Sequence, residues 1–200
     1  MEKKKISTLT LCELGILFAL VIVLQSISSI GVVTLCLCLV PITLGAMTID
    51  WRGGAILGFT FGVVALFWGI VGKDVFTLYL FQANPVMTIL ICIVKGTLCG
   101  IAPALIWKLL KDKNAILASI VASIITPVVN TGIFALGALL IKKDVMGVAN
   151  TLGIQFDNFF TLLFGVLITT NFLIELVINI VCSPALCKVT QVVEKNFKKS

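Results

Sequence analysis

The stretch TTNFLIELVIN, residues 169–179, decides what kind of protein this chain forms. It lies inside a long apolar segment, yet it contains Asn171, Glu175 and Asn179, each four residues after the last. That spacing places the three polar side chains on one face of a helix. Because a carboxylate is costly inside a bilayer, this face indicates a functional site if the helix spans a membrane.

The composition of the chain favours that membrane setting. Hydrophobic residues make up 60% of the 200 residues and charged residues 12%, and the mean hydropathy is +1.19. Soluble domains carry roughly half apolar and about a quarter charged residues. At about 20 residues per span, the length allows at most about seven spanning helices. We therefore expect an all-α, multi-pass protein of the cell membrane that folds in the lipid bilayer as a single domain over residues 1–200.

Hydropathy predicts six spans, and the charges predict their orientation. The predicted spans are residues 8–25, 31–49, 54–72, 85–109, 115–141 and 159–187. An even number of spans places both termini on one side. Eleven of the 15 lysines and arginines lie at the two termini and in the second and fourth connections. By the positive-inside rule both termini are cytoplasmic, and the net charge of +6 reflects topology rather than binding to nucleic acid.

Polar residues cluster at one depth of the last three predicted spans. Lys95 lies ten residues after Pro85, roughly 15 Å into the fourth span and near the bilayer midplane. Asn130 follows a proline in the fifth span, and Asn171 and Glu175 lie near the middle of the sixth. This pattern predicts a binding cavity built by the C-terminal half, with the first three spans as a scaffold or docking face. For Lys95, an ion pair with Glu175 and direct contact with a ligand both stay open.

The connection between the third and fourth spans adds candidates on the outer side. Tyr79 and Gln82 offer an aromatic ring and an amide to a small molecule. Asn84 before Pro85 suits a helix N-cap, which explains that pair without any ligand. Together with the polar patch around Asn130, the candidate site residues are Tyr79, Gln82, Asn84, Lys95, Asn130, Thr131, Asn171 and Glu175.

Small residues indicate two surfaces for close helix packing. Gly54, Gly58 and Gly62 in the third span predict a tight helix crossing inside the bundle, because association in lipid depends on packing that small residues permit. Gly15 and Ala19 lie four residues apart in the first span. For them, packing within the bundle and docking of another membrane subunit both remain open.

The sequence carries no motif for catalysis or for ATP hydrolysis. It has no Walker motif, no HExxH and no histidine. Its seven cysteines form no CxxC, and we interpret them as small buried hydrophobes rather than ligands or disulfides. We predict no metal site, no cofactor and no enzyme activity. Two alternatives remain: a structural or regulatory subunit without a pocket, and an intramembrane enzyme that would depend on Lys95 and Glu175 alone.

The chain resembles the substrate-binding S components of energy-coupling factor (ECF) vitamin transporters. Three features carry the resemblance: the Gly15/Ala19 pair, the segment KGTLCG at 95–100, and NFLIEL at 171–176 followed by Asn179 and Pro184. The family has an AxxxA-like pattern in the first span, where this chain has Gly15 in place of the first alanine. Glycine still permits close approach of another helix.

The resemblance implies a subunit that captures a vitamin from outside, in a pocket between the fourth, fifth and sixth helices. A separate transmembrane coupling subunit and two cytoplasmic ATPase subunits would supply the energy. Gly15 and Ala19, with the first three helices, would dock on the coupling subunit.

The patch NTG at 130–132, together with the polar face of the last helix, is most similar to the pantothenate-type group of this family. Asn130, Asn171 and Gln82 would then serve the hydroxyls and amide of pantothenate. Lys95 would meet its carboxylate.

Overall fold

The computed structural model describes residues 8–27 and 36–197, and the regular structure of those residues is entirely helical. The helices are α1 (Thr8–Ile27), α2 (Leu39–Thr48), α3 (Trp51–Ile70), α4 (Val75–Ala83), α5 (Pro85–Leu110), α6 (Ala115–Leu140), α7 (Lys142–Thr151) and α8 (Thr169–Phe197). A π-helical segment, Thr161–Ile168, directly precedes α8.

In the described part of the chain, five helices are long and apolar enough to cross a membrane: α1, α3, α5, α6 and α8. Large apolar side chains on their outer faces are exposed, among them Leu109, Leu140 and Val181. Such a surface suits lipid, and the helices satisfy their own backbone polar groups as a bilayer requires. The prediction of an all-α, multi-pass membrane protein is confirmed.

The second predicted span, 31–49, is shorter than expected where it is described. Residues 31–35 lie outside the described part, and α2 covers Leu39–Thr48. Its ten residues correspond to about 15 Å, half of a hydrocarbon core of roughly 30 Å. Most of α2 is nevertheless buried by its neighbours. Hydropathy does not separate a short buried helix from a lipid-facing span, because both are apolar.

Two connections between predicted spans contain the short helices α4 and α7. The Asp74 carboxylate caps α4 by accepting hydrogen bonds from the Thr77 N–H at 3.1 Å and the Thr77 hydroxyl at 2.7 Å. The Asn84 amide, at the junction of α4 and α5, donates to the Asp144 carboxylate of α7 at 3.0 Å. This hydrogen bond holds α7 against the start of α5.

The backbones of α3 and α5 are in direct contact. A Cβ at Gly58 would overlap the carbonyl oxygen of Gly96, and a Cβ at Gly54 would overlap that of Gly100. Side chains larger than hydrogen would therefore push the two helices apart. The predicted tight crossing is confirmed, and it brings α3 beside the face of α5 that carries Lys95.

Polar contacts fix how α8 lies against its neighbours. The Ser119 hydroxyl of α6 donates to the Ser183 carbonyl of α8 at 2.7 Å. Near the C-terminal end of α8, Glu194 forms an ion pair with Lys111 at 2.9 Å. This pair brings the fourth connection and the C-terminal region to one end of the bundle, in agreement with the predicted topology. The helix continues to Phe197, beyond the predicted end at 187.

Candidate functional site

A polar cavity of about 80 Å³ lies inside the bundle, between α1, α3, α4, α5, α6, the π-helical segment and α8. It brings together five of the eight predicted site residues: Lys95, Asn130, Thr131, Asn171 and Glu175. The other lining residues are Gln25, Cys36, Phe61, Ala65, Asp74, Phe76, Thr77, Cys92, Phe134, Leu167, Ile168 and Phe172.

Glu175 is almost entirely buried, with 3% of its surface exposed. Its Oε1 atom accepts a hydrogen bond from the backbone N–H of Cys36 at 2.9 Å. One turn further along α8, the Asn179 side chain donates to the Glu175 carbonyl at 2.9 Å and lies outside the cavity lining. The carboxylate is thus held by a backbone donor from the other half of the chain.

The Lys95 ammonium faces two aromatic rings. Its Nζ lies 5.5 Å from the centroid of Phe61 and 5.7 Å from that of Phe134. Within the described residues, no carboxylate oxygen lies within 4 Å of it, so the ion pair with Glu175 is not formed. Two cation–π contacts of about 0.5–2 kcal/mol each compensate only part of the cost of removing a cation from water. Lys95 therefore presents a positive charge to the cavity that an anionic ligand can meet.

Asn130 presents an unused acceptor at the same site. It is buried, and its Oδ1 has no hydrogen-bond partner among the described residues. A buried unsatisfied polar atom costs about 1–3 kcal/mol. Thr131 and Asn171 are half-buried and line the cavity beside it. A ligand or a water that donates a hydrogen bond here would recover that cost.

Three predicted site residues lie outside the cavity. Tyr79 packs against the apolar cluster formed by α4, α6, α7 and the π-helical segment. Gln82 is exposed. Asn84 caps α5 by accepting from the Met87 N–H at 3.3 Å, so its interpretation as an N-cap is confirmed. Whether these residues contact cargo stays a prediction.

The cavity also draws on the N-terminal half, and its assignment to the C-terminal half alone is corrected. Gln25 of α1 and Phe61 of α3 line it. The glycine contact that holds α3 against α5 explains the position of Phe61. The Gln25 amide oxygen accepts from the Cys38 thiol at 3.2 Å. A glutamine late in an apolar span is a sequence signal that could have placed Gln25 in the cavity lining. Phe61 carries no such signal, because an aromatic residue is ordinary in an apolar helix.

A second depression, which we call the lateral groove, lies between α6 and the segment that joins the π-helix to α8. It has a volume of about 380 Å³. Thr131, Ile168 and Phe172 line both the groove and the polar cavity, so the two spaces adjoin. The remaining groove residues are Val128, Gly132, Ala135, Phe164, Thr169 and Leu173.

A bundle with a lipid-compatible surface and an internal polar cavity defines an integral membrane protein with a cavity between its helices. The family model for the substrate-specific component of ECF transporters matches residues 9–187, and the chain belongs to this family. It is thus the substrate-specific subunit of an ECF transporter and a multi-pass protein of the cell membrane. No curated protein and no solved structure matches the sequence.

Proposed function

We propose that this protein captures a vitamin in the polar cavity and delivers it to an ECF module, with pantothenate as the first candidate cargo. The observation that carries the proposal is the Lys95 ammonium, which faces the cavity without an ion pair within the described residues. Asp74 and Glu175 line the same cavity, but neither carboxylate lies within 4 Å of the ammonium. An anionic cargo could pair with Lys95 directly.

The neutral groups around Lys95 suit the rest of pantothenate. Its hydroxyls or amide N–H could donate to the free Oδ1 of Asn130. Thr131 and Asn171 can both donate and accept hydrogen bonds. This combination fits a molecule with one carboxylate, an amide and hydroxyls.

The size of the cavity adds a requirement. Ligand pockets for small molecules have volumes of about 300–1,000 Å³, whereas the cavity has about 80 Å³. Binding of a whole vitamin therefore requires the walls to move apart or the cargo to extend beyond the cavity. The short helix α4 lines the cavity with Phe76 and Thr77 and would have to move for cargo to enter from outside past it. The Asn84–Asp144 hydrogen bond joins the end of α4 to α7.

We propose that the coupling subunit docks on the outer face of α1. Gly15 and Ala19 are exposed, and a Cβ at Gly15 would meet no atom within 4 Å. The buried face of α1 consists of Leu17, Val21 and Gln25 instead. The two small residues are therefore not used for packing inside the described bundle, and another membrane helix can approach them closely. In this proposal both termini are cytoplasmic, on the side where two ATPase subunits would act.

A vitamin panel tests the proposal. The purified protein in detergent is heated with each vitamin, and the true cargo raises the melting temperature because it binds the folded state. At 100 times its Kd, a ligand adds about 2.7 kcal/mol to the free energy of unfolding. A shift with another vitamin and none with pantothenate removes the pantothenate assignment. No shift with any vitamin contradicts capture itself.

A further inference from the structure

The lateral groove presents almost only apolar surface. Its polar side chains are Thr131 and Thr169. The Thr169 hydroxyl is already used, because it donates to the Phe164 carbonyl in the π-helical segment. Val128, Phe164 and Leu173 form exposed parts of its wall. A ligand in this groove would therefore be held by apolar contact rather than by hydrogen bonds.

The groove adjoins the cavity that Lys95 lines. The polar cavity has about 80 Å³, and the groove, which is open at the surface of the bundle, has about 380 Å³, so the larger space next to the cavity is apolar. Only three shared residues, Thr131, Ile168 and Phe172, lie between the two spaces. Next to them Gly132 leaves room, since a Cβ there would meet no atom within 4 Å.

We infer that the cavity and the groove form one binding site for an amphipathic carboxylate. Its carboxylate lies in the polar cavity at Lys95, and its aliphatic arm passes Thr131 into the lateral groove. This inference rests on the proposed function and names the class of cargo. A lipid acyl chain could cover the groove, but it would not explain why the groove adjoins an unpaired cation.

A series of unbranched carboxylates tests the inference. Butanoate, hexanoate, octanoate and decanoate are titrated against the purified protein in detergent by calorimetry. Each buried methylene strengthens hydrophobic transfer by about 0.8 kcal/mol, so the affinity should rise about fourfold per methylene until the groove is full. The alcohols of the same lengths should bind much more weakly, because they carry no charge for Lys95.

The variant Gly132→Trp distinguishes binding of the carboxylates in the groove from their partitioning into the detergent micelle. The indole would fill the groove, so the affinity should no longer rise with chain length, while butanoate should still bind. Gly147→Trp on α7 is the control, because a Cβ at Gly147 also meets no atom within 4 Å, and it should keep the rise. If Gly132→Trp does not fold, Ala135→Leu is measured instead and should flatten the rise.

The outcomes separate this inference from the proposed function. The inference is overturned, even if a vitamin binds, if the affinity of the wild type does not rise with chain length or if it rises equally in the groove-filled variant. It is supported if the affinity of the wild type rises with chain length and that of the groove-filled variant does not. If no vitamin then raises the melting temperature, the proposed vitamin cargo fails and the amphipathic site remains.

Discussion

The backbone N–H of Cys36 donates to Glu175 Oε1 at 2.9 Å, although the two residues are 139 positions apart in the chain. This hydrogen bond joins the segment before α2 to the middle of α8. It gives the buried carboxylate a hydrogen-bond partner that no sequence pattern predicts. Glu175 therefore connects two segments of the bundle and also lines the cavity.

We expect Glu175→Gln and Glu175→Leu to differ in stability. Glutamine keeps a side-chain oxygen that can accept from Cys36, whereas leucine removes the acceptor. Losing a buried hydrogen-bond partner costs about 1–3 kcal/mol, so Glu175→Leu should melt at a clearly lower temperature in detergent. Equal melting temperatures for the two variants would show that this hydrogen bond contributes little.

We expect Lys95→Met to weaken pantothenate binding without loss of stability. A hydrogen bond to a charged group contributes about 1.5–3 kcal/mol, which corresponds to an affinity about 10- to 150-fold lower. The melting temperature should stay the same or rise, because no ion pair is lost within the described residues. The two lost cation–π contacts offset only part of the cost of burying the ammonium. Binding of labelled pantothenate and thermal melting in detergent check the two parts.

Lys73→Met is the matched control for Lys95→Met. The Lys73 ammonium lies 3.7 Å from the Trp68 ring centroid and does not line the cavity. Its removal also deletes a cation–π contact but should leave the affinity unchanged. A strongly destabilised Lys95→Met that keeps its affinity would instead give Lys95 a structural role.

The sequence predicts the parts of this structure that depend on local patterns. The long apolar runs predict α1, α3, α5, α6 and α8, because a bilayer accepts such segments only as helices. The polar residues Lys95, Asn130 and Glu175 predict the cavity, since each is costly in lipid without a partner. Gly54 and Gly58 predict a tight helix crossing inside the bundle, and the structure shows that the partner is α5.

The remaining features depend on contacts between distant segments. The Cys36–Glu175 hydrogen bond joins the segment before α2 to α8, and no local pattern encodes it. The place of Phe61 in the cavity follows from how α3 packs on α5. The lateral groove depends on the π-helical segment Thr161–Ile168. Apolar residues there fit an ordinary α-helix equally well, and π-helices are rare, although they are frequent at functional sites.

We expect Gly58→Ala to destabilise the protein through the α3–α5 contact. The added Cβ would overlap the Gly96 carbonyl oxygen, and overpacking of this kind costs about 1–3 kcal/mol. Gly15→Ala is the control, because both changes gain about 1 kcal/mol of helix propensity while Gly15 is open on its surface. Thermal melting should rank Gly58→Ala below the wild type and Gly15→Ala at or above it. The reverse order would exclude a tight crossing.

We expect Asn84 and Asp144 to show coupled effects on stability. Their hydrogen bond of 3.0 Å joins the start of α5 to α7, and a bond to a charged group contributes about 1.5–3 kcal/mol. Asn84→Asp keeps a capping carboxylate for α5 but replaces the donor with a like charge, so it should destabilise the protein. Combining Asn84→Asp with Asp144→Asn should restore part of the loss. Additive losses in the double variant would show that the two side chains act independently.

We expect the double variant Gly15→Leu/Ala19→Leu to lose uptake while it keeps cargo binding. Both positions are exposed on α1, so two leucines there would leave the bundle intact but hold a partner helix at a distance. Uptake of labelled vitamin by cells that express the whole transporter, and binding to the purified subunit, are measured side by side. Ala185→Leu adds similar bulk at an exposed position of α8 and should change neither quantity. If the double variant loses binding in a folded protein, α1 contributes to the ligand site; if it keeps full uptake, the coupling subunit docks elsewhere.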